Sequence, residues 1–217
     1  MKRNDYVIIT LILIIITVTA YNSRFNLLPI PPGHKRYNKH GIATIYPEDL
    51  WPWEIAIQRD GKVVLDGSIP ISRETGNMGW NSGNTEKDQS DTNHFWECST
   101  IWLKTDPPET PRLDLYYTAQ YDNYERRHRE MNMTKGTIES YTHRNHQVTI
   151  QYFNYTVQDI GTTDQVQIYG IVGGYYCTKT GRTIVVYYLD IYDTDPIYDH
   201  ESLYTSFRFY MDHIHSY

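Results

Sequence analysis

The sequence predicts an α+β fold in which helices pack on an antiparallel β-sheet. In the stretch Gln165–Leu189, large residues occupy both sets of alternating strand positions. A polar turn with a glycine interrupts it at Thr178–Gly181, and this pattern is typical of two long paired strands. The stretch Asp199–Ile214 has the apolar spacing of a helix. The residues of its stripe are Leu203, Phe207, Tyr210 and Ile214.

The strand before the turn is expected to lie in the centre of the sheet. Large side chains on both of its phases indicate that both faces are at least partly covered. Gly170, Gly173 and Gly174 interrupt it, and glycine within a strand often marks a bulge or the close approach of another element. Thr183–Leu189, after the turn, is β-branched and aromatic, which favours a strand.

The remaining elements follow from shorter patterns. Strands are predicted at Ile42–Tyr46, Glu54–Gln58, Lys62–Leu65, Phe95–Lys104, Leu113–Thr118, Thr137–Thr142 and Gln147–Val157. A helix is predicted at Tyr121–Met133, with Asp122 as its cap and Glu125 three residues later. Trp51-Pro-Trp53 is expected to fill the core, with a lid over the sheet as the alternative.

Asp66–Asn93 contains four glycines and few apolar residues, which predicts a long loop that is either functional or disordered. Trp80 lies in its one apolar island, and we expect this side chain to contact the domain.

An apolar run, Tyr6–Ala20, follows Lys2 and Arg3 at the N terminus. Its 15 residues are fewer than the roughly 18–20 of a full membrane span. Two interpretations stay open: a signal-anchor transmembrane helix within residues 1–21, which we favour, or a signal peptide cleaved after Val18-Thr-Ala20. Either one predicts that the rest of the chain lies outside the cytoplasm, anchored to the membrane or secreted. Residues 22–36 are then a proline-containing linker, and residues 37–217 are the folded domain.

Motifs at both ends of this domain carry a family resemblance. The closing motifs are Tyr169-Gly-Ile, Tyr175-Tyr-Cys177 and Thr180-Gly-Arg182. The opening motifs are Tyr37-Asn-Lys-His-Gly-Ile42, Tyr46-Pro47 and Trp51. They resemble the hairpins that close and open PsbP-like proteins, and the likeness extends over residues 35–215. The resemblance implies a PsbP-like α/β/α sandwich in an extracytoplasmic location, and it implies no shared catalytic residues.

Composition limits the classes of partner. The chain has 217 residues, 21 of them tyrosine and 5 tryptophan, which suffices for one domain with an aromatic-rich core plus an appendage. Its net charge of −6 argues against a general nucleic-acid binder, which needs a basic face. The same charge disfavours electrostatic docking on anionic lipid, and no cofactor is expected.

The two cysteines, Cys98 and Cys177, both lie on predicted strands. Outside the cytoplasm they are allowed to form a disulfide, which requires Cα atoms within about 7 Å. Two buried free thiols are the alternative, and no flanking signature indicates a cysteine nucleophile.

No metal site is predicted with any strength. His143 and His146 form one close pair and His213 and His215 another, but zinc needs three or four converging ligands, so solvated histidines are expected. The acidic stretch that includes Asp190, Asp193 and Asp195 is a weak cation candidate. It lacks the glycine and the distal glutamate of an EF-hand.

Asn132-Met-Thr134 and Asn154-Tyr-Thr156 are N-glycosylation sequons. They matter only in a cell that glycosylates exported proteins, and Asn154 would then have to face solvent.

The leading functional hypothesis is a membrane-tethered extracytoplasmic domain with a non-enzymatic binding or scaffolding role towards a membrane or envelope partner. Its candidate partner surface consists of Arg126, Arg127 and Arg129 on the predicted helix and Trp80 in the predicted loop. An envelope enzyme that acts on a cell-surface polymer is the first alternative, suggested by abundant aromatic residues and carboxylates. A cation-binding domain is the second, and it depends on the acidic stretch alone.

Overall fold

The computed structural model describes residues 10–17, 28–82, 94–126, 129–159, 165–192 and 200–217. The strands are β1 (His34–Lys39), β2 (Ile42–Pro47), β3 (Trp53–Ile57), β4 (Val63–Val64), β5 (Thr75–Asn81), β6 (His94–Lys104), β7 (Arg129–His143), β8 (His146–Asp159), β9 (Gln165–Cys177), β10 (Arg182–Tyr192) and β11 (His215–Ser216). The helices are α1 (residues 10–17), α2 (Asp114–Arg126) and α3 (His200–Asp212).

The strands form two sheets. The larger has eight strands in the order β4-β3-β5-β6-β10-β9-β8-β7, and the smaller has three in the order β1-β2-β11. The pairs are antiparallel. This confirms the predicted antiparallel α+β class, together with the β9–β10 hairpin and its turn at residues 178–181.

Both faces of the large sheet are covered. On one face α3 and the small sheet build a core with Trp80, Trp102 and Ile171, and Leu203 and Phe207 of α3 are fully buried there. On the other face α2 buries Leu115 and Tyr116 against a second core that includes Val172. Ile171 and Val172 are neighbours that point to opposite cores, so β9 is the doubly covered central strand that its sequence predicts.

Two glycines of β9 allow aromatic rings to lie directly on the sheet. A Cβ at Gly173 would stand 2.5 Å from Cζ of Phe207, and a Cβ at Gly170 would collide with the ring of Phe153. Real Cβ atoms do not approach other carbons so closely. The predicted close approach of another element therefore occurs on each face of this strand.

The predicted assignments around residues 113–133 were wrong. Leu113–Thr118, predicted as a strand, is mostly the first turn of α2, and Tyr121–Met133, predicted as a helix, contains the end of α2 and the start of β7. Burial of Leu115, Tyr116 and Ala119 along one helical face decides the conformation here. Asp122 lies inside the helix and accepts a hydrogen bond from the backbone N–H of Val63, at 3.0 Å, instead of capping a helix start.

The predicted Asp66–Asn93 loop contains a strand. β5 pairs with β3 on one side and β6 on the other, and it buries Met78 and Trp80 to 1% exposure each. Residues 83–93 lie outside the described part of the chain. Trp51 is 84% exposed and thus neither fills the core nor forms a lid.

Residues 10–17 are helical and exposed. Within the described ranges, no helix has both the length and the apolar character that a membrane span requires. The rest of the predicted anchor lies outside those ranges. β1 begins at His34, which places the last residues of the predicted linker in the small sheet.

Candidate binding surface at one end of the sheet

Several turns and strand ends converge at one end of the large sheet, which we call the turn end. The β7–β8 turn is Arg144–Asn145, and the β9–β10 turn spans residues 178–181. Lys104, the last residue of β6, pairs with Arg182, the first of β10, so β6 also ends here. The turn end is therefore built from segments that are far apart in the chain.

A buried arginine ties these segments together. Arg182 is 5% exposed, and its Nη1 donates to the carbonyl of His40 at 3.1 Å while Nη2 donates to the backbone oxygen of Tyr217 at 2.8 Å. The N–H of Tyr217 in turn donates to the carbonyl of Gly41 at 2.9 Å. Burial, and then the charge of nearby Arg73, lowers the pKa of Arg182. The guanidinium thus fixes the β1–β2 turn and the last residues of the chain against β10.

A half-buried polar cluster lies beside it, between α3 and β7. Oδ1 of Asp212 is 3.3 Å from Nδ1 of His143 and 3.5 Å from Nη2 of Arg208. The guanidinium carbon of Arg208 lies 4.2 Å from the ring centroid of Tyr141. Burial lowers the pKa of His143, and the carboxylate of Asp212 opposes that shift.

Histidines from both predicted close pairs approach each other at the turn end. His146 stacks on Tyr175 with ring centroids 4.7 Å apart, and burial lowers its pKa. Burial, followed by the charges of Arg144, Lys179 and His146, lowers the pKa of His215 to about 4. These histidines are half-buried, whereas the sequence suggested solvated ones.

The described residues assemble no metal site from the histidines, and the acidic candidate is only partly described. They contain no group of three histidine, cysteine or acidic side chains that could hold a metal ion. Asp190 lies in β10, while Asp193 and Asp195 fall outside the described ranges, so the acidic cation candidate stays a prediction.

Three further cations lie at the turn end: Arg73 acts electrostatically on Arg182, and Arg144 and Lys179 act on His215. Arg73 and Lys179 are exposed and Arg144 is half-buried, and we call these three residues the basic patch. Two carboxylates lie nearby: Glu74 accepts from Lys104 at 3.0 Å, and this bond lowers the pKa of Glu74, while Asp212 acts on Arg144 as well as on His143 and Arg208. The patch is a local group of cations on a chain whose net charge is −6, and Asp212 offsets part of the charge of Arg144.

A cleft of about 400 Å³ lies at the same end of the sheet, where β3 and β6 end and β5 begins. Ile57 and Leu103 form its apolar floor and are almost fully buried. Lys104 and Glu74 stand on its rim. Ser72 and Glu74 line the cleft and flank Arg73 in the chain. Its floor residues belong to the core under α2, on the face of the sheet opposite Arg182, so only Arg73 of the patch lies close to the cleft in the chain.

Of the residues predicted as a partner surface, Trp80 is contradicted by its burial, and the three arginines stay a prediction. Trp80 is 1% exposed and packs edge-on against Trp96 at 4.9 Å, so this part of the prediction was wrong. Arg126 ends α2 and Arg129 begins β7, rather than both lying within one helix, and Arg127 lies outside the described residues. The burial of Trp80 follows from β5, which sequence patterns did not indicate.

Cys98 and Cys177 are two buried free thiols. They lie on β6 and β9, with β10 between them, and they pair there with Tyr188 and Arg182, which are six residues apart. The two cysteines therefore do not form a disulfide. They are the two buried free thiols that the sequence allowed as the alternative. Burial raises the pKa of Cys98 well above its usual value, which disfavours the reactive thiolate.

No protein-family model matches the chain, and no curated protein matches it at a significant level. Among solved structures, the chain is similar to the solution structure of cyanobacterial PsbP (CyanoP) from Synechocystis sp. PCC 6803. The two share 13% sequence identity with a TM-score of 0.45, and the match covers 86% of this chain and 94% of that one.

Proposed function

We propose that this chain is a PsbP-like, non-enzymatic binding domain that is tethered to a membrane outside the cytoplasm. In this proposal the basic patch docks on an acidic surface of a membrane or envelope protein. The observation that carries the proposal is the location of Arg73, Arg144, Lys179 and buried Arg182 at the same end of the large sheet, on a chain with a net charge of −6.

Local charge of this kind acts mainly on association. A positive patch attracts an acidic partner surface and raises the association rate, and this effect weakens as salt screens it. Because the chain as a whole is negatively charged, its surface outside the patch does not attract polyanions. Docking is therefore expected to be directional and sensitive to ionic strength.

The patch is attached to a rigid frame. Arg144 and Lys179 lie in the turns of two β-hairpins. Arg182, at the same end of the sheet, holds the β1–β2 turn and Tyr217 in place. A preorganised surface loses less conformational entropy on binding than a flexible loop. The neighbouring cleft offers a partner an apolar floor for one side chain, which is the usual form of an interface hot spot.

The N-terminal segment enters the domain away from this surface. His34 begins β1 and pairs with Pro47, at the other end of the hairpin from the His40–Gly41 turn. Six residues of strand separate these ends by about 20 Å. Trp51 is exposed four residues after Pro47, and tryptophan suits a membrane–water interface. A tether at the His34 end would leave the basic patch accessible.

Crosslinking in living cells with charge-reversed variants tests the docking surface. The double variant Arg73→Glu/Lys179→Glu is compared with Lys35→Glu/Lys135→Glu, which changes the charge equally at exposed positions outside the patch. We expect the first variant to reduce the yield of one stoichiometric crosslinked partner at least tenfold and the second to leave it within twofold. Equal yields from both variants, or no partner for the wild-type chain, would reject this function.

A further inference from the structure

The two glycosylation sequons face each other across one pair of strands. In the β7–β8 register Asn132 pairs with Thr156, and Thr134 pairs with Asn154. Each acceptor asparagine is thus opposite the hydroxyl residue of the other sequon. We infer that this junction is an N-glycosylation site, and that a single chain carries one glycan there, on Asn132 or on Asn154.

The acceptor side chains are exposed although they lie in strands. Phe153 and Tyr155, the neighbours of Asn154, are buried in the core under α2, so Asn154 points to the opposite face. On that face α3 packs against Val148 and Ile150 and reaches Tyr152, whose ring contacts His200 at 5.3 Å. Asn154 and Asn132 lie beyond this covered part and are open to solvent.

Polar residues replace apolar ones where α3 no longer covers the sheet. Thr134 is exposed and Thr156 is half-buried, with its Oγ1 accepting from Nε2 of Gln167 at 2.8 Å. A face of this kind has no apolar area to hide, so a bulky polar group can stand on it without a cost in packing. An attached glycan is therefore compatible with the folded domain.

The modification requires the location that the proposed function assigns. A membrane transferase joins the amide Nδ2 of asparagine to the anomeric carbon of a lipid-phosphate-linked oligosaccharide. The new C–N bond replaces the bond from that carbon to the phosphate oxygen, the lipid phosphate leaves, and the amide gives up one proton. The donor and the enzyme act on exported chains, so the inference rests on export of residues 22–217.

Geometry limits the site to one glycan at a time. Asn132 and Asn154 are diagonal neighbours, and such positions have Cα atoms about 7–8 Å apart. The first sugar of either glycan would occupy the space above the other asparagine. Occupation of one sequon should therefore exclude the other.

A glycan at this junction would also protect the edge of the sheet. β7 is the last strand in the order of the eight, so no strand among the described residues pairs with its outer side. Exposed edges of this length promote association between chains, and proteins commonly block them. A sugar on β7 or on its neighbour β8 hinders the approach of a second sheet.

The test uses full-length chain purified from its own cells, analysed by intact mass and by glycopeptide mass spectrometry. Protease treatment of intact cells measures the location of the domain in the same sample. We expect a mass increase of one glycan, located at Asn132 or Asn154 and never at both in one molecule. Thr134→Val should move occupancy to Asn154, whereas Thr134→Ser keeps the sequon and should leave the distribution unchanged.

The outcomes separate the inference from the proposed function. Unmodified asparagines in a domain that protease reaches would overturn the glycosylation inference and leave the location intact. A domain that protease does not reach would overturn both. Two glycans on one molecule would overturn the exclusion, and an unchanged mass in Asn132→Gln/Asn154→Gln would show that any sugar lies elsewhere.

Discussion

β9 and β7 are strands of similar length in the same sheet, and their environments are opposite. β9 lies between β10 and β8 and is covered on both faces, with Ile171 and Val172 fully buried. β7 lies at the edge, and its residues 134–140 are exposed. At the centre, glycine lies beneath aromatic rings because a larger residue would clash with them. At the edge, the residues contact water and are mostly polar.

The contrast also shows where binding chemistry is found in this fold. The basic patch and the sequon junction both lie outside the doubly covered centre, one at the turn end and the other at the sheet edge. The centre supplies the rigidity that keeps these groups in position. Substitutions should therefore affect stability most at β9 and its turn and least along β7.

The largest loss of stability is expected for Gly173→Val. Its Cβ would stand 2.5 Å from Cζ of Phe207 and 2.9 Å from Cγ2 of Ile150, and both neighbours are buried in the same core. Overpacking of this kind should lower the free energy of unfolding by about 3 kcal/mol. Urea denaturation measures the change.

The matched substitution on the edge strand is Ser140→Val, at an exposed position. It should change the free energy of unfolding by less than about 0.5 kcal/mol. The double variant Gly173→Val/Phe207→Ala should lose less stability than the sum of the two single changes, because removal of the ring relieves the clash. Equal effects of valine at positions 173 and 140 would contradict the contrast between centre and edge.

The next effect is expected at the first residue of β10. Arg182→Met removes both hydrogen bonds from the buried guanidinium and leaves the carbonyls of His40 and Tyr217 without that donor. The free energy of unfolding should fall by about 2 kcal/mol. Arg73→Met is the control, because Arg73 is exposed, and it should change stability by less than about 0.5 kcal/mol. Similar losses in both variants would mean that burial of Arg182 is not what matters.

The sequence predicted the parts of the fold that local patterns specify. The β9–β10 hairpin has a polar turn between two β-rich segments, and α3 has one apolar stripe, so both were predicted close to their observed bounds. β5 was missed because its glycines and polar residues resemble a loop. Its strand conformation depends on pairing with β3 and β6, which no short window reveals.

The candidate surface was missed for a related reason. Arg73, Arg144 and Lys179 come from three separate segments, which the strand order brings to one end of the sheet. One signal was available: Arg144 and Lys179 both lie in turns of antiparallel hairpins, and alternate turns of an antiparallel meander lie at the same end of the sheet. The predicted surface at Arg126–Arg129 depended instead on a helix boundary, and apolar burial in α2 moved that boundary.

A smaller effect is expected when the histidines of the turn end become protonated. The pKa of His215 is lowered to about 4, first by burial and then by Arg144, Lys179 and His146, and burial also lowers that of His146. Folding favours the neutral imidazole, so this stability is complete above about pH 6.5, the ordinary histidine pKa, and is lost as the pH falls towards 4.

Thermal unfolding from pH 7 to pH 5 tests this dependence. The pKa values of Glu54 and Glu74 are lowered, so those carboxylates titrate below that window. The melting temperature should fall steadily as the pH decreases, and His215→Gln should fall less steeply. The same slope in both proteins would remove His215 as a source of the pH dependence.

The smallest effect is expected on the edge strand, for Ile138→Lys. Ile138 is 63% exposed on β7, so a longer charged side chain can extend into water without displacing a neighbour. The free energy of unfolding should change by less than about 0.5 kcal/mol.

Sedimentation equilibrium of the same variant tests whether the edge of the sheet pairs with another chain, since lysine on an edge strand opposes pairing with another sheet. If the wild-type chain is monomeric and the variant is unchanged in mass and stability, β7 is a solvent-facing edge. A loss of more than about 1 kcal/mol together with dissociation of an oligomer would instead place β7 in an interface, and the contrast with β9 would fail.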